Sequence, residues 1–186
     1  RAGLVGEDGP THHGVFDISY IRHLPNIVSM APRDEEELNN MFSWAVSYDK
    51  GPVAIRYPRG ASYVCRDRSR PVPTIDLGKG ELLKQGKDAT IVSIGYMSNI
   101  ALDEAYLLMD EGIDSEVINA RFIKPLDTEL ITESILKTGR LFTIEEGALS
   151  GGFGSGVLEL IIDKVKKHII IKNIALPDKF IEHGDR

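Results

Sequence analysis

From Gly78 onward, short apolar runs alternate with amphipathic stretches, and that alternation constrains the fold more than any other feature of the chain. Residues 79–84 and 89–94 read as strands on either side of the turn Gln85-Gly86-Lys87-Asp88. Ala101, Leu102, Ala105, Leu108 and Met109 recur at helical spacing, with Gly112 as the stop. A strand is expected over 115–119, a helix from Asp127 to near Gly139, and a strand over 141–144. A Gly-rich connection over 145–156 leads into a helix ending at about Lys167, and the last strand covers 169–175. Parallel strands need crossover connections, usually helices, so this order predicts an α/β fold with a mostly parallel sheet.

The segment before it follows the same logic. Residues 15–23 are helix-like, 26–30 a brief strand, and 53–56 another. Between the strands, Leu38, Met41, Phe42 and Ala45 mark an amphipathic helix. Asp34 with Glu37 three residues later is a capping-box-like start, and the acidic first turn suits the helix dipole. Residues 61–77 carry charge and proline without a sustained period and read as a linker. The expected division is thus 1–60, a linker over 61–77, and 78–186.

Composition narrows the class. The 186 residues are 42% hydrophobic and 27% charged, with a net charge of −6, which argues against a general nucleic-acid binder. No apolar run approaches the roughly 18 residues of a membrane span. The lone cysteine, Cys65, allows no intrachain disulfide and fits a reducing, cytoplasmic setting.

The chemistry concentrates in Gly6-Glu7-Asp8-Gly9-Pro10-Thr11-His12-His13-Gly14. A loop this dense in turn formers and titratable groups needs scaffold on both sides, yet only five residues precede it, and residue 1 is Arg. The chain is therefore expected to begin inside a domain. His12 beside Asp8 could relay a proton or bind a substrate hydroxyl or carbonyl near neutral pH; equally, Asp8 could cap a helix and His12 be a packed polar residue. His13 is read as structural. Arg59, in Tyr57-Pro58-Arg59-Gly60 after a strand, sits where open α/β sheets bind ligands, and its donor fork suits phosphate or carboxylate; the bland alternative is a surface ion pair. Arg56 is assigned to the strand itself. The glycines at 151, 152, 154 and 156 could cradle an anion at a helix start. They lack a P-loop's Lys-Ser/Thr ending, and Glu145 and Glu146 would repel phosphate, so a tight strand-to-helix turn is favoured. Those glutamates are read as helix-dipole or subunit-contact residues. No His/Cys spacing among the five histidines matches zinc ligation, so no metal site is expected.

These motifs together resemble the transketolase-like thiamine diphosphate enzymes, and within them the 1-deoxy-D-xylulose-5-phosphate synthase family. The matching stretches are Arg1-Ala2-Gly3-Leu4-Val5-Gly6, Asp8-Gly9-Pro10-Thr11-His12, Phe16-Asp17, Tyr57-Pro58-Arg59-Gly60, Lys124-Pro125-Leu126-Asp127, the Gly-rich turn at 151–156 and Leu176-Pro177-Asp178. The beta subunits of 2-oxo-acid dehydrogenases share the architecture and are the close competitor; the closing Leu-Pro-Asp-x-Phe-Ile-Glu-His-Gly pattern favours the synthases. The resemblance implies the end of a pyrimidine-binding domain followed by a Rossmann-like C-terminal domain, in a homodimer.

It further implies condensation of pyruvate with glyceraldehyde 3-phosphate and loss of carbon dioxide, on the way to isoprenoid, thiamine and pyridoxal precursors. By the same resemblance His12 faces the reacting carbons, Asp8 is its loop partner, and Arg1 and Arg59 take the aldehyde's phosphate. The family's ylid-forming glutamate and its magnesium-binding Gly-Asp-Gly…Asn segment do not occur in this sequence. Thiamine diphosphate and Mg2+ are therefore expected on a missing N-terminal part, with none bound by this chain alone, which is expected to be inactive. A non-catalytic assembly module keeping the fold is the other reading.

Overall fold

A computed structural model describes residues 2–61, 74–162 and 164–184. Cys65, Arg1 and most of the expected linker lie outside the described residues.

The first segment contributes β1 (Val28–Met30), α2 (Glu35–Ser47) and β2 (Val53–Ile55), preceded by a short α1 (Asp17–Arg22). Asp34 caps α2 by accepting from the Glu37 N–H at 2.9 Å. The Glu37 carboxylate turns back as in a capping box, but to the Arg33 N–H at 2.7 Å.

The second segment builds β3 (Glu81–Lys84), β4 (Ala89–Ser93), α3 (Met97–Asp110), β5 (Ser115–Asn119), β6 (Phe122–Lys124), α4 (Thr128–Thr138), β7 (Arg140–Ala148), α5 (Phe153–Ile162) and β8 (Ile170–Leu176). Five of these strands form one sheet in the order β3-β5-β4-β7-β8, parallel except for β3. The α/β architecture with a mostly parallel sheet is as the sequence predicts. Period-2 alternation assigns the two faces. Ile91 and Val117 pack with Leu83 and with Ala101 and Ala105 of α3. Their neighbours Val92 and Ile118 pack with Ile131 and Ile135 of α4 and with Phe153, Val157 and Ile161 of α5. Asp127 caps α4 by accepting from Leu130 N–H at 3.1 Å, and Gly139, at φ +70°, closes it.

The structure settles one pairing that the sequence leaves open and departs from the sequence reading in three places. β3 pairs antiparallel with β5 rather than with its sequence neighbour β4. β6, unexpected from the sequence, leaves the large sheet and pairs antiparallel with β1, giving a small sheet β2-β1-β6 that draws on both segments. β7 runs on to Ala148, with a register shift against β8 between Ile144 and Ala148, so Glu145 and Glu146 belong to a strand rather than to the Gly-rich connection. α5 stops at Ile162, short of Lys167.

Candidate active site

The loop at residues 3–14 is closed at its neck. Gly3 N–H donates to Gly14 O and Gly14 N–H to Gly3 O, both at 2.9 Å. Such a compact loop with paired ends is an Ω-type element, a common carrier of functional groups. Ala2 pairs in parallel with Pro58, its N–H on Tyr57 O at 2.9 Å, which brings the chain leaving β2 alongside the loop. Within the loop, residues Gly9–Thr11 form one 3-10 turn. Gly9 enters that turn at φ +70°, a left-handed conformation that glycine adopts without a Cβ penalty.

Two sequence-predicted residues meet here. Arg59 Nη1 forms an ion pair with Asp8 Oδ2, their side chains 52% and 28% exposed. An exposed pair of this kind contributes at most about 1 kcal/mol, so an anionic ligand could compete for the guanidinium. His12 follows the turn, exposed, with Nδ1 2.9 Å from Thr11 Oγ1. That hydroxyl also lies 3.4 Å from Asp8 O, and the ring's other nitrogen, Nε2, makes no hydrogen bond among the described residues. His12 thus presents an exposed imidazole beside the turn that follows Asp8. A cavity of about 270 Å3 adjoins the pair, lined by Leu4, Val5, Gly6, Glu7, Arg59, Gly60 and Gly184.

The supports of this loop escape sequence reading. Arg56 lies one residue past β2, its side chain 8% exposed. Its Nε donates to Asp17 Oδ2 at 2.8 Å, and Nη2 donates to Gly14 O at 2.7 Å and Glu146 O at 2.8 Å. One guanidinium therefore joins the loop's exit, the start of α1 and the end of β7. Glu146 also takes part directly, its Oε1 accepting from Leu4 N–H at 3.1 Å. Nothing in the run Ile55-Arg56-Tyr57-Pro58-Arg59 distinguishes the buried arginine from the exposed one.

The Gly-rich turn is a strand-to-helix junction whose helix start is already filled. Glu145 Oε2 accepts from Phe153 N–H and Oε1 from Gly154 N–H, both at 2.8 Å. A Cβ on Gly152 would lie 2.5 Å from that carboxylate, so the glycine is required for close approach. Burial pushes the Glu145 carboxyl above the usual range, against the two N–H bonds that lower it.

A second buried polar cluster joins the segments. Glu37 accepts from Arg121 Nε at 2.7 Å and from Asn119 Nδ2 at 3.0 Å, while Arg121 Nη2 donates to Glu81 at 3.1 Å. Arg121 stands at φ +57°, a left-handed conformation held by these partners. Among the described residues, no group of three or more His, Cys, Asp or Glu is disposed to hold a metal ion. No described helix is long and apolar enough to cross a membrane.

Comparison with known proteins agrees with this architecture. Residues 78–186 match the transketolase C-terminal domain, and residues 1–63 the transketolase pyrimidine binding domain. The 1-deoxy-D-xylulose-5-phosphate synthase of Heliobacterium modesticaldum is 50% identical over 99% of this chain, and synthase 1 of Geobacter sulfurreducens is 50% identical over 99%. The chain spans only 28% and 29% of those relatives' lengths. A solved structure described as split gene transketolase, inactive beta4 tetramer, superposes with a TM-score of 0.83 at 33% identity, covering 91% of this chain and 55% of that one. A transketolase mutant from Pichia stipitis shares the fold at 19% identity, with a TM-score of 0.68 over 96% of this chain and 25% of its own. With its second segment matched end to end and its first matched as well, the chain belongs to the transketolase family.

Proposed function

We propose that the chain supplies the aldehyde-binding side of the active site of a thiamine diphosphate-dependent transferase of the 1-deoxy-D-xylulose-5-phosphate synthase type. That enzyme condenses pyruvate with glyceraldehyde 3-phosphate and releases carbon dioxide. The observation that carries the reading is the Arg59–Asp8 pair on the loop that also bears His12. Arg59, with Arg1, receives the substrate phosphate in place of the Asp8 carboxylate. Asp8 hydrogen-bonds a substrate hydroxyl. His12 polarises the reacting carbonyl or moves a proton through Nε2. Identity of 50% to two synthases across nearly the whole chain supports this substrate pair.

Thiamine diphosphate, which supplies the carbanion chemistry, and its Mg2+ do not fit the described residues. Among the described residues no acidic or histidine cluster is disposed for the metal, and the backbone amides at the α5 start are taken by Glu145. Both groups are assigned to sequence outside this chain. The working enzyme is a cytoplasmic homodimer in which residues 1–60 end the pyrimidine-binding domain, 61–77 form the linker and 78–186 form the C-terminal domain. This chain alone is inactive, a reading supported by the related split-gene piece described as an inactive tetramer.

The test is Arg59→Ala in the complete enzyme. Loss of one charge-assisted phosphate contact costs about 2 kcal/mol, a roughly 30-fold rise in KM for glyceraldehyde 3-phosphate with little change for pyruvate. Equal effects on the two Michaelis constants would remove the phosphate role.

A further inference from the structure

The segment after β8 returns across the candidate site. Gly184 N–H donates to Gly6 O at 3.0 Å. Phe180 meets Phe16 edge-on, ring centroids 6.0 Å apart at 83°. Gly9 lies so close to the backbone of His183 that a Cβ there would sit 2.9 Å from the His183 Cβ. Gly184 itself lines the cavity beside Arg59. The centre of this arrangement is His13. Its Nδ1 accepts from Val5 N–H at 2.8 Å. That bond requires a lone pair on Nδ1, so the ring hydrogen is on Nε2, which donates to Ile181 O at 3.1 Å.

From these contacts we infer that His13 is a positioning residue, a pin that fastens the tail at residues 180–184 to the loop at residues 3–14 and so fixes Asp8 and His12 for the aldehyde substrate. The inference rests on the proposed function, because it takes that loop as the site. One ring reaches a backbone donor near the loop's entry and a backbone acceptor on the tail, from opposite nitrogens. Neither amide side chain can do both. Asparagine places an acceptor near the Nδ1 position and cannot reach Ile181. Glutamine places a donor near the Nε2 position and gives up Val5.

The experiment measures amide hydrogen exchange and kinetics on the complete enzyme carrying His13→Ala, His13→Asn, His13→Gln and Gly184→Pro. Proline removes the Gly184 donor at an exposed position and cannot unfold the core. The expected result is exchange roughly tenfold or more faster at the Val5 amide in Ala and Gln, with Asn retaining protection there. The Gly184 amide exchanges faster in Ala and Asn, with Gln retaining protection. KM for glyceraldehyde 3-phosphate rises about tenfold in His13→Ala and by a smaller factor in Gly184→Pro, with pyruvate unaffected. Native exchange at both amides in His13→Ala overturns the pin. Faster exchange with unchanged kinetics overturns the positioning role alone, because the functional reading stands or falls separately on the response of the two Michaelis constants to Arg59→Ala.

Discussion

Replacing Arg56 should uncouple the site loop from the rest of the fold. In Arg56→Met the stem is kept and the guanidinium is lost. Asp17, 13% exposed at its side chain, loses the partner that sits 2.8 Å away, and the carbonyls of Gly14 and Glu146 lose a shared donor. Removing one partner of a largely buried pair costs about 3–5 kcal/mol because the other charge stays behind. The carbonyl bonds share the same group and do not add in full, so about 4 kcal/mol is expected. At 2–4 °C per kcal/mol for a chain of this length, the melting temperature falls by about 8–16 °C. Arg56→Lys keeps a charge near Asp17 without the fork and should lose about half as much.

The assay is thermal unfolding followed by circular dichroism, together with amide exchange at Gly3 and Gly14, whose reciprocal bonds close the loop. Asp17→Asn completes a double-mutant cycle and remains available if Arg56→Met fails to fold. The expected coupling between positions 17 and 56 is about 2 kcal/mol or more. An Arg56→Met protein within 1 kcal/mol of native stability (about the size of a surface pair), or one with Gly3 and Gly14 still fully protected, would refute the anchoring argument.

Three further outcomes are expected. Glu145→Ala should lower stability by about 2–4 kcal/mol in urea unfolding, since two buried N–H groups of α5 lose their acceptor; a loss under about 0.5 kcal/mol would remove the capping role. The Glu145 carboxyl is held above its ordinary 4.5 by burial, so its contribution is present below that value and is lost as pH climbs through the raised folded value. Stability should therefore fall as pH rises above 4.5, and Glu145→Gln should flatten the fall; parallel native and variant curves would contradict this. His12→Ala in the complete enzyme should cut turnover roughly 100-fold or more while leaving the melting temperature unchanged, and normal turnover would return His12 to a structural role.

The elements legible in the sequence are those whose signal is local. Ala101, Ala105 and Gly112 mark α3, and Asp127 with Gly139 bound α4, because period and cap chemistry act within a few residues. Pairing partners are set elsewhere. Periodicity gives the face of β3 but not its choice of β5 over β4, and the three residues of β6 have no period to read before β1 pairs with them. The site divides in the same way. Asp8, His12 and Arg59 stand out as residue types in turn-rich motifs. Arg56 and His13 matter through contacts with Glu146 and Ile181, 90 and 168 positions away, and no local pattern carries such information.

The position of the site follows from what the fold does with its own crevice. In an open α/β sheet the strand order reverses beside β4, between β5 and β7, and ligands commonly bind beyond the carboxyl ends there. Here those ends are covered. Asn119, the last residue of β5, donates to Glu37, and Ser98 at the start of α3 donates to Asn119. Asn99 donates to Arg33 O at 2.6 Å, and Gly95 approaches Ala31 closely enough that a Cβ would lie 3.2 Å from its side chain. The crevice therefore serves as the joint between the two segments, with Glu37 and Arg121 as its buried ionic centre. A buried pair of that kind adds little net stability over an apolar replacement, but it tolerates few alternative alignments. That alignment brings the ends of β2, β7 and β8 to one margin. Arg59 beyond β2, Glu146 from β7 and the tail after β8 all meet the loop at residues 3–14 there. A candidate site at this margin depends on contacts between distant parts of the chain, such as those of Arg56 with Glu146 and of His13 with Ile181.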